Sequence, residues 1–464
     1  MKKMIYLIVL IATFSICCIC CNETELSKLS SVESSEVVLS EGIATLKTAK
    51  LGKTQAQNFL IKFIGNISKK TRGSNKQIQI IQCDSILIPT SGKTRSFVND
   101  DATIVYHFTI MSSEGKGYAL VGNELLSPKL IAYCPKGTLQ DTIDNKGLAN
   151  YIQRAFDGFR NKEERYAKLY ERIEKTNMTR SAGLPNLPPD LDSVVVKDSV
   201  GKDTLYKTLA IYQNYYKEIA EFFVPVEWGQ GYPYNKDVPY NCGNGKAPAG
   251  CTAIAVAQIM AYHKYPKSYN WDLLTQTPII SGTLEADEVR RNEVAKLIVD
   301  IGGKVHMDYG CSGSTSNIYE AKNAFGQYGY RVSSVENFDV SVELSDIMQA
   351  LLGTTTWNPT YHFNSPIYIR GENSSGGHAF VGDGRAIDEE CYYIFYLKYL
   401  KGELVDSSLL FYMPAMLLGN TCYIHINWGW NGSSNGWYQL SLFNQSEYNS
   451  YNEQMFALYQ IVSQ

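Results

Sequence analysis

Four short apolar runs, broken by Gly, Ser and Asn, stand in the first third of the chain: Phe59–Ile64, Ile78–Ile81, Ile104–Ile110 and Tyr118–Val121. Their length and punctuation predict β-strands. From Ala149 to Glu174 the pattern changes. Ile152, Phe156, Phe159, Tyr166, Leu169 and Ile173 recur near helical spacing with charges between them, which predicts a helix. A small α+β unit over residues 50–175 follows from these elements. Residues 176–204 then carry Gly183, Pro185, Pro188 and Pro189 among Asn, Ser and Asp, with no apolar period. That is the texture of a linker, where proteolytic nicking concentrates. Arg180-Ser181 is one candidate bond there, and nothing in the sequence fixes it. Residues 205–464, without an internal repeat, make one substantial further domain.

Near the start of that domain the pattern predicts a different kind of helix. Cys251-Thr252-Ala253-Ile254-Ala255-Val256-Ala257-Gln258-Ile259-Met260-Ala261-Tyr262 is small and apolar on nearly every side, so it belongs at the centre of the domain. Pro266 marks its end, and Pro248-Ala249-Gly250 cannot extend it backwards. Cys251 therefore falls on the first helical turn, where unpaired N–H groups and the helix dipole favour a thiolate.

The amino terminus has its own pattern. Lys2 and Lys3 precede an apolar run from Met4 to Ile19, and the polar Asn22-Glu23-Thr24-Glu25 follows without a basic stop-transfer cluster. Residues 1–21 thus read as an export signal. Cys17, Cys18, Cys20 and Cys21 crowd its end, resembling a bacterial lipoprotein cleavage site with Cys21 as the lipidated residue. The competing reading is a plain signal peptide with incidental cysteines. Residues 22–49, rich in Ser and Glu, read as a tether.

Composition narrows the classes without choosing among them. A chain of 464 residues with 44% hydrophobic and 19% charged residues is globular, and its net charge of −3 gives no cationic field for nucleic acid. Seven cysteines follow the signal region: Cys83, Cys134, Cys242, Cys251, Cys311, Cys391 and Cys422. Their sparse spacing does not predict a disulfide framework or a zinc site, and the odd number leaves one thiol to explain. His378 offers the explanation. It lies where the polar loop Asn373-Ser374-Ser375-Gly376-Gly377 enters the apolar run Ala379-Phe380-Val381, a setting from which a base can reach a thiol. Asn427 is expected to orient that imidazole through its amide oxygen, with Trp428 screening the bond. Gln230, about twenty residues before Cys251, is expected to donate to an oxyanion. The remaining histidines read blandly. His263 suits the carboxyl end of the Cys251 helix as a cation, and His107, His306, His362 and His425 have no acidic or cysteine partner at ligand spacing. No metal and no cofactor is expected. Glu389-Glu390 reads as a solvated turn.

The ordered blocks Gln230-Gly231-Tyr232-Pro233-Tyr234-Asn235, Ala249-Gly250-Cys251-Thr252-Ala253, Gly377-His378-Ala379 and Asn427-Trp428-Gly429-Trp430 resemble the streptopain family of secreted bacterial cysteine peptidases. The resemblance covers about Val224 to Tyr438, and Val305-His306-Met307-Asp308-Tyr309-Gly310 looks like the stretch before that family's substrate-binding region. It implies an α+β architecture: a papain-like cysteine peptidase domain at 205–464 behind a small α+β inhibitory propeptide domain. Gly117 to Gly122 and Ile131-Ala132-Tyr133 are similar to that propeptide, with Gly122 and Cys134 as departures. By the same resemblance Cys251 is the nucleophile, His378 the base and Gln230 the oxyanion donor, with Asn427 and Trp428 in support. Cys251 and His378 are separated much as in papain-type enzymes, where about 130–150 residues intervene. The expected protein is an exported cysteine endopeptidase made as a zymogen. Its partners would be protein or peptide substrates, its own propeptide and, through a lipid anchor, a membrane surface. Two rivals stand beside this: an inactive papain-like surface binding protein, and a cysteine-dependent amidase or acyl transferase.

Overall fold

The computed structural model describes residues 52–70, 78–88, 103–124, 127–160, 193–197, 203–221, 224–243, 245–338, 351, 365–373, 376–400, 403–404, 411–443, 454–459 and 461–463. The expected signal and tether, Cys21 included, lie outside these residues, as do Arg180-Ser181, His362 and the stretch 161–174.

The chain opens with helix α1 (Lys53–Lys70) and four antiparallel strands, β1 (Gln79–Ile88), β2 (Thr103–Ser112), β3 (Gly115–Glu124) and β4 (Ser127–Cys134), followed by helix α2 (Lys146–Arg160). Three of the four predicted strands are present. The first, Phe59–Ile64, is instead part of α1. Ala56, Phe59, Leu60, Phe63, Ile64 and Ile67 are buried at spacings of three and four, while Ile61 is 53% exposed. A six-residue apolar run fits a strand and a helix face equally well, and here the longer period decides. Helix α2 starts three residues before the predicted position because the Asn145 side chain caps it, accepting from the Leu148 N–H at 3.1 Å.

Strand β5 (Ser193–Lys197) pairs with the first residues of β6 (Asp203–Glu221). The stretch read as linker thus contains a strand, carried by three consecutive valines whose branched side chains suit extended backbone. Helix α3 (Cys251–His263) follows, then α4 (Glu288–Lys304) and α5 (Ile318–Gln327). The chain returns to sheet with β7 (Ile367–Asn373), β8 (Gly376–Leu400), β9 (Phe411–Asn427), β10 (Gly436–Gln439) and β11 (Gln454–Leu458). Glu389 and Glu390 lie within β8, so the predicted turn is a strand paired on both edges.

These strands form one antiparallel sheet in the order β1-β2-β3-β4-β10-β9-β8-β7-β11. The join between its two halves is β4 on β10, with Trp437 opposite Tyr133 and Tyr438 opposite Ala132. Helix α3 packs against β7 and β8 and is covered by α4 and α5. All its residues from Cys251 to Ala261 are buried. Ile254, Val256, Ile259 and Met260 lose all exposure, each burial stabilising the fold by roughly 1.5–3 kcal/mol. The arrangement is α+β, with a central helix laid on an antiparallel sheet.

Tertiary contacts correct three readings of single residues. Cys242 and Cys311 form a disulfide across a separation of 69 residues, whereas Cys83, Cys134 and Cys251 are free. Closing a loop of that length restricts the unfolded chain. The double variant Cys242→Ser with Cys311→Ser is expected to lose about 4 kcal/mol of stability, read from denaturant midpoints. His263 does not act as a helix-end cation. Burial drives its imidazole down to about 4, so it is neutral near pH 7, with Ser365 Oγ 3.3 Å from its Nε2. His306 and His425 do have acidic partners, Glu320 at 2.8 Å and Asp383 at 2.6 Å, which lie 14 and 42 residues away along the chain. Among the described residues no group of three or more His, Cys, Asp or Glu could hold a metal.

Candidate active site

Cys251 opens α3 on a backbone that only glycine accommodates easily. Gly250 sits at φ +92°, and a side chain there would meet the Met307 sulfur at 2.6 Å. The chain therefore turns sharply into the helix and presents the thiol at its first position. The Ala379 N–H donates to Cys251 Sγ at 3.3 Å, and His378 acts on the same sulfur to favour its ionised form.

His378 reaches the thiol because β8 runs alongside α3. Its other contact fixes the ring: Nε2 lies 3.2 Å from the Trp428 carbonyl oxygen. A carbonyl only accepts, so Nε2 carries the hydrogen and the neutral ring keeps Nδ1 as its lone-pair nitrogen. Phe380 and Trp428 stack near-parallel to the imidazole, both at 6.1 Å between centroids. These rings shield the pair from water. Burial alone would raise the Cys251 thiol. The hydrogen bond and charge of His378, the Ala379 N–H and the charge of Arg370 outweigh it, and the thiol is brought down to about 7.

The other expected residues fall near this pair in different ways. Asn427 does not reach the imidazole. Its Nδ2 donates to the Val226 carbonyl at 2.9 Å and its Oδ1 accepts from the Gly429 N–H at 3.1 Å. The expected orienting bond comes from the neighbouring backbone carbonyl of Trp428, because the amide of Asn427 is spent on shaping the turn that aims this carbonyl. Trp428 is fully buried, its indole N–H donating to Tyr438 Oη at 3.0 Å. Gln230 lies half-buried in the strip before α3, and its carbonyl accepts from the Ala249 N–H at 2.8 Å. Asp383 anchors the start of that strip by accepting from the Val224 N–H at 2.8 Å, while Asn427 holds Val226.

Residues of the first half of the chain close over the site. Gly147, in the first turn of α2, lies so close that an added Cβ would stand 2.6 Å from His378 Cδ2 and 2.9 Å from Trp428 Cζ3. Beside it, Asp141 accepts from the Ser433 and Ser434 hydroxyls at 2.5 and 2.7 Å, and Lys136 donates to the Asn431 carbonyl at 2.9 Å. Tyr151 bridges both halves, donating to the carbonyls of Ile131 and Gln439. Sequence reasoning gave no role to Gly147, Asp141, the Ala379 N–H or the Trp428 carbonyl. Gly147 lies two residues before the predicted helix, so the pattern gave no signal for it.

Comparison with known proteins finds relatives over the same region of the chain. The model of the Peptidase C10 family matches residues 228–268 and 267–438. Streptopain of Streptococcus pyogenes is 25% identical over 310 residues, covering 57% of this chain and 66% of its own length, just short of two thirds. The thiol protease/hemagglutinin PrtT of Porphyromonas gingivalis is 26% identical over 250 residues, 47% of this chain and 23% of that protein. Among solved structures, a prointerpain A fragment of Prevotella intermedia aligns with 82% of this chain and all of its own, at 18% identity and a TM-score of 0.41. Active interpain A of the same organism aligns with 52% of this chain and 95% of its own, at 22% identity and a TM-score of 0.35. The matched region, 228–438, contains Gln230, Cys251, His378, Asn427 and Trp428, and over it the chain is similar to the Peptidase C10 family and to streptopain.

Proposed function

We propose that this chain is the precursor of an exported cysteine endopeptidase that hydrolyses peptide bonds through Cys251 and His378. The observation that carries this reading is the thiol at the tip of a buried helix, held down to about 7 beside an imidazole whose far nitrogen is fixed by a carbonyl. In the proposed reaction the sulfur shares its proton with His378 and attacks the peptide carbonyl carbon. The oxyanion is met by the Cys251 N–H and the Gln230 amide, and His378 then protonates the departing amine. Water hydrolyses the thioester, with His378 as base. Asn427 acts one step removed, by shaping the turn that presents the Trp428 carbonyl to His378.

The same reading makes residues 50–175 an inhibitory propeptide. Gly147 against His378 and Trp428 is its support, since no substrate backbone can share that space with α2. Cutting within 176–204 would release residues 205–464 as the active enzyme. Export through residues 1–21, with Cys21 as lipid-bearing residue, belongs to the proposal on sequence grounds alone. Protein or peptide substrates, the chain's own propeptide and a membrane surface are the partners it implies.

Labelling with a thiol-directed peptide inhibitor tests the core of this reading. After removal of the propeptide, mass spectrometry should find the label on Cys251. The thiolate is the reactive form, so the labelling rate should rise as pH increases through about 7 and level off above it. A rate that rises only near pH 9, or a label on Cys83, Cys134 or Cys422 alone, would reject the reading.

A further inference from the structure

A second basic side chain besides His378 lies on the strand next to the one that meets the Cys251 sulfur. Arg370 is 4% exposed, in strand β7, opposite Ala379 of β8, the residue whose N–H meets the sulfur. Its neighbour in the same strand, Gly371, stands opposite His378. The guanidinium turns along this edge, for an added Cβ on Gly377 would meet Arg370 Nη2 at 2.6 Å. Two residues earlier, and so on the same face of the strand, Tyr368 is fully buried. Its hydroxyl donates to Thr252 Oγ1 at 3.4 Å and feels the Arg370 charge. A chain of polar groups thus runs from Arg370 through Tyr368 to the second residue of the nucleophile's helix.

We propose that Arg370 is a positioning residue of the nucleophile, a fixed buried cation, held by Tyr368 beneath the first turn of α3, that favours the ionised sulfur independently of His378. The inference rests on the reading of Cys251 as nucleophile and adds to it. His378 must alternate between charged and neutral forms as it takes and gives protons, so its help to the thiolate comes and goes through the cycle. An arginine stays charged throughout. Its charge therefore remains when the imidazole is neutral, including the moment at which the sulfur leaves the acyl carbon as an anion. Among the described residues, the ionisable groups that lower the thiol are His378 and Arg370, and Tyr368 feels the sulfur's charge in return. The direction of the Arg370 effect agrees with the proposal, since its charge lowers the thiol.

Thiolate absorbance of the full chain, taken as the difference from Cys251→Ala and followed from pH 5 to 9, reads this effect directly. It needs no access for a reagent. With Arg370→Gln, thiolate content at pH 7 is expected to fall about fivefold and to recover at higher pH, as for loss of one nearby charge. Arg370→Lys should stay within about twofold of the parent. A merely structural arginine would instead give equal losses for Gln and Lys, or a change in melting temperature with no change in the titration, and either result overturns the proposal. Should Arg370→Gln fail to fold, Tyr368→Phe decides, because it keeps the ring and removes the hydroxyl that holds the guanidinium. A smaller shift in the same direction supports the proposal and an unchanged profile overturns it. A parent thiol that titrates near 9 defeats the nucleophile reading itself. A parent thiol near 7 with an unchanged Arg370→Gln profile defeats only the role of Arg370.

Discussion

Replacing Cys251 by Ala is expected to reduce peptide hydrolysis about 10⁴-fold or more and, in the absence of another protease, to leave the precursor uncut. The magnitude follows from the chemistry: without the sulfur no acyl-enzyme forms, and the oxyanion donors alone retain only residual catalysis. The fold should survive. The methyl of alanine fits the first turn of α3, and the sulfur contributes one weak acceptor bond to Ala379. Gel mobility and intact mass of the purified variant, beside its melting curve, separate the outcomes. A Cys251→Ala protein that matures unaided would refute self-processing, and one that retains full turnover would refute the nucleophile assignment.

Gly147→Val carries the next largest expected effect, and it acts from the other half of the chain. The branched side chain cannot fit beside the His378 ring and the Trp428 indole, where even a single carbon stands at 2.6 Å. Either α2 backs away or the imidazole moves. Overpacking of this kind costs about 1–3 kcal/mol. A cost near 2 kcal/mol, spent on the seating of α2, enlarges the open population about thirtyfold. The uncut precursor should then react with a thiol-directed peptide inhibitor correspondingly faster, at a stability lowered by a similar amount. Gly147→Ala should show the same change with smaller size. If the Val variant stays as silent as the parent at equal stability, α2 does not guard the site.

The two predictions separate what could be read from residues and what could not. Cys251 was legible because three local rules converge on it: a glycine and a proline before it, alanines after it and an apolar surround. Each acts within a few residues, so the sequence displays it. His378 was legible as a flexible loop entering a strand, and the four blocks in order linked it to Cys251. Asn427 was expected to orient the imidazole, and its amide has other partners. Its amide meets Val226, some two hundred residues earlier, and that pairing depends on how β9 passes the strip before α3. Phe59–Ile64 failed for the opposite reason. Its local pattern was ambiguous, and only packing against the sheet selected the helix.

Sequence by itself determined the α+β class, the helix that carries the thiol, the candidate nucleophile and base and their order, because these rest on short-range periodicity and on residues whose chemistry is unusual wherever they occur. Tertiary structure alone decided which groups meet: the Trp428 carbonyl on His378, Gly147 over the same ring, the Cys242–Cys311 bridge, Asp383 beside His425, and Arg370 opposite Ala379. The physical reason is distance along the chain. Hydrogen bonds and charges act over a few ångströms, and residues tens or hundreds of positions apart come within that range only when the sheet fixes their register.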